Sequence, residues 1–248
     1  MTAKTIVITG AGGGLGTAMA RRFAADGDKV ILLARTAAKV QALADEIGNG
    51  ATAVSCVVSD PASVRHAFEQ IAVRYGSIDA LINNAANFTP ARFEEASDQL
   101  ILDSVLSNLA GPMFCTRAAL PLLRRGGHVI NVSSETVSVE LPMLVVYQST
   151  KAGLERFSSS LAAELADRGI RVTVFRAGQM AGADAAPKID PELGRQIFAE
   201  SLKRGFNLME RGMTSYQSAA ALMRAVIDTP PDMHLVQVSF HGYQGVGP

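Results

Sequence analysis

Ile6-Val7-Ile8-Thr9-Gly10-Ala11-Gly12-Gly13-Gly14-Leu15-Gly16 runs a β-branched apolar segment into a glycine-rich turn, and the residues after it carry a helical pattern. Glycines let a strand turn sharply into a helix and let a ligand approach the backbone closely. The first N–H groups of that helix are free, and its dipole favours negative charge, so the turn is suited to a pyrophosphate. The spacing is Gly10-x-x-x-Gly14-x-Gly16 rather than a strict G-x-G-x-x-G. Its place after the first strand makes Gly10, Gly12, Gly13, Gly14, Leu15 and Gly16 candidate dinucleotide-binding residues.

Outward from this turn, short β-branched runs alternate with longer helical patterns. Strands are expected near 4–9, 28–34, 52–58, 78–83, 127–133 and 170–175, and helices near 14–26, 36–47, 61–75, 98–123 and 147–168. Several strands are apolar at nearly every position, as required when both faces are covered. The alternation predicts an α/β fold: a Rossmann-like, doubly wound parallel sheet in three α/β/α layers. Beyond Gly178 the pattern loosens around Pro187 and Pro191. Helices near 191–207 and 215–227 and a last strand near 234–240 are expected to complete the same sheet. With no linker, repeat or low-complexity tract, residues 1–248 read as a single domain, with a substrate loop or lid near 180–212. Phe198, Leu202, Phe206 and Met209 recur at helical spacing, a face that either packs on the domain or covers a substrate.

Composition narrows the partners. Lys plus Arg and Asp plus Glu each number 23, so there is no electrostatic case for nucleic acid or an anionic membrane surface. No apolar run reaches the roughly 18 residues of a membrane span. The opening MTAKTIVITG lacks the features of a secretory signal, which leaves a cytoplasmic location as the expectation. Cys56 and Cys115 form no CxxC and the four histidines are scattered, so no metal site is expected.

The second strand ends Leu33-Ala34-Arg35. An acid at this point would accept hydrogen bonds from the adenosine ribose and select NAD(H). Arg35 can instead neutralise a 2′-phosphate and stack on adenine, so NADP(H) is preferred over NAD(H).

Tyr147 and Lys151 stand four residues apart on an expected helix and share a face. A phenol of pKa about 10 is a poor base near neutrality, and a neighbouring ammonium lowers that value. Ser134 closes an apolar strand, where ligands of open α/β sheets bind, and its hydroxyl can donate to a carbonyl oxygen. Asn108 lies four residues before Pro112, which has no N–H to offer the Asn108 carbonyl, so a kink is expected there.

Together these residues resemble the short-chain dehydrogenase/reductase family over roughly residues 4–180. The glycine motif is similar to Thr9-Gly10-xxx-Gly14-x-Gly16, the NNAG motif to Asn83-Asn84-Ala85-Ala86, and the catalytic Asn, Ser, Tyr and Lys to Asn108, Ser134, Tyr147 and Lys151. The resemblance implies hydride transfer between nicotinamide and a carbonyl or secondary alcohol, with Tyr147 as proton donor or acceptor. In it, Lys151 lowers the Tyr147 pKa and holds the nicotinamide ribose, Ser134 orients the substrate oxygen, and Asn108 supports a water relay. It adds Val58, Asn84, Ala85 and Gly178, with Tyr147 and Lys151, to the cofactor-binding set. It also implies a homodimer or homotetramer pairing the helices near 98–123 and 147–168. The chain departs from the family at Ala86, at Val57 (where an acid is usual) and at Ala177-Gly178, after which the usual threonine is absent. The alternative is a catalytically inactive dinucleotide-binding protein, a redox sensor or assembly partner.

Overall fold

A computed structural model of the chain describes residues 3–48, 50–182, 189–230 and 232–243. Its main sheet has seven parallel strands in the order β3-β2-β1-β4-β5-β6-β9. These are β1 (Thr5–Thr9), β2 (Lys29–Ala34), β3 (Ala51–Ser55), β4 (Ile78–Asn83), β5 (Leu123–Ser134), β6 (Arg171–Ala177) and β9 (Gln237–Ser239). Between β6 and β9, the short β7 (Met180–Ala181) and β8 (Thr214–Ser215) pair in parallel as a separate ribbon. The helices are α1 (Gly14–Ala25), α2 (Ala37–Ile47), α3 (Pro61–Tyr75), α4 (Asp98–Val105), α5 (Gly111–Ala119), α6 (Val145–Leu165), α7 (Pro191–Lys203) and α8 (Tyr216–Ile227).

Period-two alternation divides the core into two layers. Ile6, Ile8, Val30, Leu32, Ile82, Ile130 and Phe175 pack with α1, α2 and α8 through residues such as Met19, Phe23, Val40 and Met223. Val7, Ile31, Leu33, Leu81, Val129 and Val172 face α3, α5 and α6, packing on Phe68, Ile71, Cys115, Leu161 and Leu165. The sheet is covered on both sides, which is why its strands read as unbroken apolar runs. Strand order reverses where β1 pairs with both β2 and β4, so a crevice opens at the carboxyl ends of β1 and β4. Under the opposite end, Arg224 of α8 bonds Asp28, and Asp228 at 2.7 Å, while the Lys4 ammonium reaches Asp228 at 2.6 Å. This buried ion cluster fastens α8 beneath the first two strands, away from the crevice.

The expected helix over 98–123 is corrected to α4, a π turn at Leu106–Ala110, and α5, with β5 beginning at Leu123 rather than 127. Pro112 sits in the first turn of α5 and can neither donate to Asn108 nor continue the ladder, and the π turn absorbs that misfit. The last strand is shorter than expected, and the ribbon of β7 and β8 was not foreseen. Two residues per strand carry no periodicity. Asp60 caps α3, accepting from Ala62 N–H at 2.8 Å. Among the described residues, no helix is long and apolar enough to cross a membrane, and no cluster of His, Cys, Asp or Glu could hold a metal ion.

Candidate active site

The glycine turn is built by close approach. Gly10 has φ +66°, and a Cβ there would lie 2.7 Å from the Ala85 Cα. Gly16 has no room for a side chain either, since a Cβ would fall 2.9 Å from Ala11 Cα and from the Asn84 amide nitrogen. Gly12 and Gly13 differ: a Cβ on Gly12 would make ordinary contact, and one on Gly13 would meet nothing within 4 Å. Gly10 and Gly16 are therefore required by packing, while Gly13 leaves the mouth of the turn open. Thr9 and Asn84 hold it in place. Thr9 Oγ1 accepts from the N–H groups of Asn84 (3.0 Å) and Ala85 (3.1 Å), and Asn84 Nδ2 donates to the carbonyls of Thr9 and Gly10. The Asn84 amide is thus occupied in bracing the turn. Leu15 is buried in the core behind it. An open, left-handed loop leading into the twelve-residue helix α1 fits a diphosphate.

Arg35 follows the end of β2, is exposed, and has no hydrogen bond or ion pair among the described residues. Lys39 of α2 borders the glycine turn, its Cβ 3.7 Å from where a Gly12 Cβ would be. Val58 packs on the start of α5, its carbonyl 3.1 Å from a Cβ built on Gly111. Gly178 faces the carboxyl-terminal segment, where a Cβ would lie 2.8 Å from the Phe240 carbonyl. Its close approach is therefore to protein backbone.

At the carboxyl end of β5 the catalytic candidates converge. Ser134 Oγ accepts from Thr136 N–H (3.3 Å) and from the Thr136 hydroxyl (3.0 Å), which leaves its own proton free to act on the neighbouring Tyr147 phenol. Lys151 is buried one helical turn along α6 and donates to the Val132 carbonyl at 2.8 Å, its ammonium 5.8 Å from the centre of the Tyr147 ring. Burial pushes the Tyr147 phenol above its usual pKa, and the Ser134 hydrogen bond pulls against it. Burial lowers Lys151 to about 8, while Glu155 raises it. Ser134 opposes the desolvation of the phenol, while the Lys151 ammonium is turned onto the Val132 carbonyl.

Asn108, in the π turn, is fully buried. Its Oδ1 accepts from Asn87 N–H at 2.7 Å, and its Nδ2 donates to the Asn87 carbonyl (2.8 Å) and the Thr150 hydroxyl (3.2 Å). The side chain thus clamps the loop after β4 to α6. That loop also brings Phe88 edge-on to Tyr147, ring centres 4.9 Å apart at 86°. Met143, just before α6, takes φ +64° and its carbonyl accepts from Ala91 N–H at 2.9 Å. A non-glycine residue held there carries backbone strain, here at the entrance to the helix bearing Tyr147.

Glu135 is buried, accepting from Gln179 N–H at 3.1 Å and pairing with Arg211 at 2.6 Å. It ties the catalytic strand end to the segment after β6 and to the chain beyond α7. Of the apolar series on and after α7, Phe198 and Phe206 are half-buried and Leu202 is exposed, while the Met209 side chain and residues 183–188 lie outside the described residues. Phe88, Thr136, Thr150 and Arg211 are the site residues that sequence reasoning missed or gave no such role. Thr136, two positions past Ser134, was the only one with a local signal.

The short chain dehydrogenase family model matches residues 4–193. The chain is 33% identical over 177 residues to the 3-oxoacyl-[acyl-carrier-protein] reductase of Escherichia coli (strain K12), covering 71% of this chain and 72% of the relative. It is 32% identical over 185 residues to the NADP-dependent 3-hydroxy acid dehydrogenase of Salmonella typhi, covering 72% and 73%. The crystal structure of a short-chain dehydrogenase from Streptomyces avermitilis superposes with a TM-score of 0.82 at 29% identity, covering 96% of this chain and 88% of that one. With the glycine turn at the strand-order switch and Ser134, Tyr147 and Lys151 gathered at its far lip, the chain belongs to the short-chain dehydrogenase family of oxidoreductases.

Proposed function

We propose that this protein is an NADP(H)-preferring oxidoreductase that interconverts a small-molecule ketone or aldehyde and its alcohol, with Tyr147 handling the proton. The observation that carries this reading is the gathering of Ser134, the Tyr147 phenol and the buried Lys151 ammonium at the carboxyl end of β5. A carbonyl oxygen seated between the two hydroxyls receives a hydrogen bond from Ser134 and a proton from Tyr147 in the reductive direction. In the oxidative direction Tyr147 accepts the alcohol proton. The nicotinamide, when bound, supplies or accepts the hydride. Lys151 holds the nicotinamide ribose and keeps positive charge near the phenol, and Asn108 fixes the α6 turn between Tyr147 and Lys151. The cofactor-facing set comprises the turn from Gly10 to Gly16, Arg35, Val58, Ala85, Tyr147 and Lys151, with Asn84 and Gly178 shaping its walls. The described residues of 180–212 cover the substrate side, anchored through Arg211 and Glu135. The test is NADPH oxidation across a panel of ketones and aldehydes. Turnover of at least one class supports the reading, and tight NADPH binding with none turned over makes the protein a sensor instead.

The cofactor preference rests on Arg35, a cation at the end of β2 with no ion pair among the described residues, and on the NADP dependence named for the Salmonella relative. Losing a charge-assisted contact to the 2′-phosphate should lower the NADPH-to-NADH affinity ratio by about 10-fold or more in Arg35→Ala. Titration by nicotinamide fluorescence measures both affinities, and an unchanged ratio refutes the assignment.

A homodimer or homotetramer follows from apolar side chains left in solvent on the helices the family pairs. Leu102 is 54% exposed, Val145 48%, and Val105 and Leu106 38% each. Light scattering should return a mass of two or four chains. A single-chain mass at micromolar concentration removes this part of the reading.

A further inference from the structure

We propose that Tyr216 is a diphosphate-binding residue: its phenol hydroxyl donates to the cofactor's diphosphate at the amino terminus of α1. This rests on the dinucleotide-site reading above and adds to it a residue from the far end of the chain.

Tyr216 is the first residue of α8, and three features fix where its ring goes. The β7–β8 ribbon pairs Met180 with Thr214 and Ala181 with Ser215. The Thr214 N–H also donates to the Gln179 carbonyl at 3.0 Å. Ser215 caps α8, its Oγ accepting from Ser218 N–H at 3.0 Å. Ala219, Ala220 and Met223 of α8 then pack in the same core as Met19, Ala20 and Phe23 of α1. The ring is thereby laid across the start of α1.

Two glycines make room for it. A Cβ on Gly14 would lie 3.2 Å from the ring carbon that bears the hydroxyl and 3.3 Å from the hydroxyl oxygen. A Cβ on Gly182 would lie 2.6 Å from the opposite edge of the ring. Gly14 also has φ +53°, so the residue that opens α1 both turns the chain and admits the phenol.

The hydroxyl itself has nothing to bond. Tyr216 is half-buried, makes no hydrogen bond among the described residues, and its oxygen is not among the buried polar atoms left without a partner. The oxygen is therefore open to solvent beside Gly14, at the start of α1. Packing on two glycines requires only a ring, which Phe would supply. A phenol adds a donor at the point where the free N–H groups of α1 favour an anion. The segment Gly178-Gln179-Met180-Ala181-Gly182, which borders the same crevice after β6, offers no side-chain hydroxyl of its own. Tyr216 brings one to that border from α8.

The test compares wild type with Tyr216→Phe, which keeps the ring against Gly14 and Gly182 and should leave Tm within a degree or two. NADPH affinity, read by fluorescence titration, should fall by about 10- to 50-fold, the scale of one hydrogen bond to a charged group. Affinity for adenosine 2′-monophosphate, which lacks the diphosphate, should stay unchanged by calorimetry. An NADPH affinity that is unchanged, or that rises, makes Tyr216 a packing residue or an obstruction and overturns the proposal. Equal losses for both ligands place the defect at the adenosine end and overturn it as well. If wild type binds neither NADPH nor NADH, the dinucleotide-site reading falls, and the proposal with it.

Discussion

In Tyr147→Phe, kcat for carbonyl reduction is expected to fall by about 10²- to 10⁴-fold, the usual span of a lost proton donor, while NADPH affinity changes by no more than about 3-fold. The variant keeps the ring that packs edge-on against Phe88 at 4.9 Å, so α6 and the loop after β4 have no reason to move. It loses only the phenol oxygen on which Ser134 acts. Burial raises the pKa of that phenol, so the group stays protonated across the neutral range and is poised as an acid. The pH dependence follows in sign. Below its raised pKa the phenol keeps reduction flat with pH, whereas alcohol oxidation needs the phenolate and climbs with pH toward that value. Steady-state rates in both directions from pH 6 to 10 check this. A variant retaining more than about a tenth of wild-type kcat on every substrate the enzyme turns over, a smaller loss than proton-donor removal costs, would move the proton chemistry elsewhere.

Lys151→Met is expected to cost a similar factor in kcat, about 10²- to 10⁴-fold, because it removes both the proposed ribose contact and the charge beside the phenol. Its signature is in stability. The folded-state pKa of Lys151 is about 8 against 10.5 for an ordinary lysine. Below pH 8 both folded and unfolded chains carry the proton, and burying the ammonium opposes folding. Between about 8 and 10.5 the unfolded chain binds the extra proton, so stability rises with pH and the penalty fades. From pH 7 to 9.5, wild type should therefore gain about 2 kcal/mol relative to Lys151→Met, since one pKa unit is worth about 1.36 kcal/mol. Comparing the two proteins cancels every other titrating group. The loss of the Lys151 bond to the Val132 carbonyl costs the same at either pH and drops out of the comparison. Urea unfolding of both at the two pH values measures the difference, and one that does not vary with pH refutes the assignment.

The sheet was legible because a parallel strand covered on both faces must be apolar almost throughout. β1, β2, β4 and β6 announce themselves as Ile6–Ile8, Val30–Leu33, Ala80–Ile82 and Val172–Phe175. The turn was legible because Gly10 and Gly16 stand where backbones touch. Reading failed where local pattern and tertiary demand part. A helical period runs through residues 98–119, and nothing in it says that Pro112 would be accommodated by a π turn rather than a bend. Nor does it say that the Asn108 side chain would spend its bonds on Asn87 and Thr150.

By itself, then, the chain's order of residues determined the α/β architecture, the place of the glycine turn, and Ser134, Tyr147 and Lys151 as the residues to watch. Each is encoded by neighbours close in sequence, through periodicity, glycine spacing and i, i+4 geometry. Only the tertiary structure decided what Lys151 and Glu135 hold, and how Tyr216 comes to lie on Gly14. Those contacts join residues that are remote along the chain, 202 positions apart for Tyr216 and Gly14 (216 − 14). The direction of a buried hydroxyl or ammonium is set by whichever partner packing brings within reach.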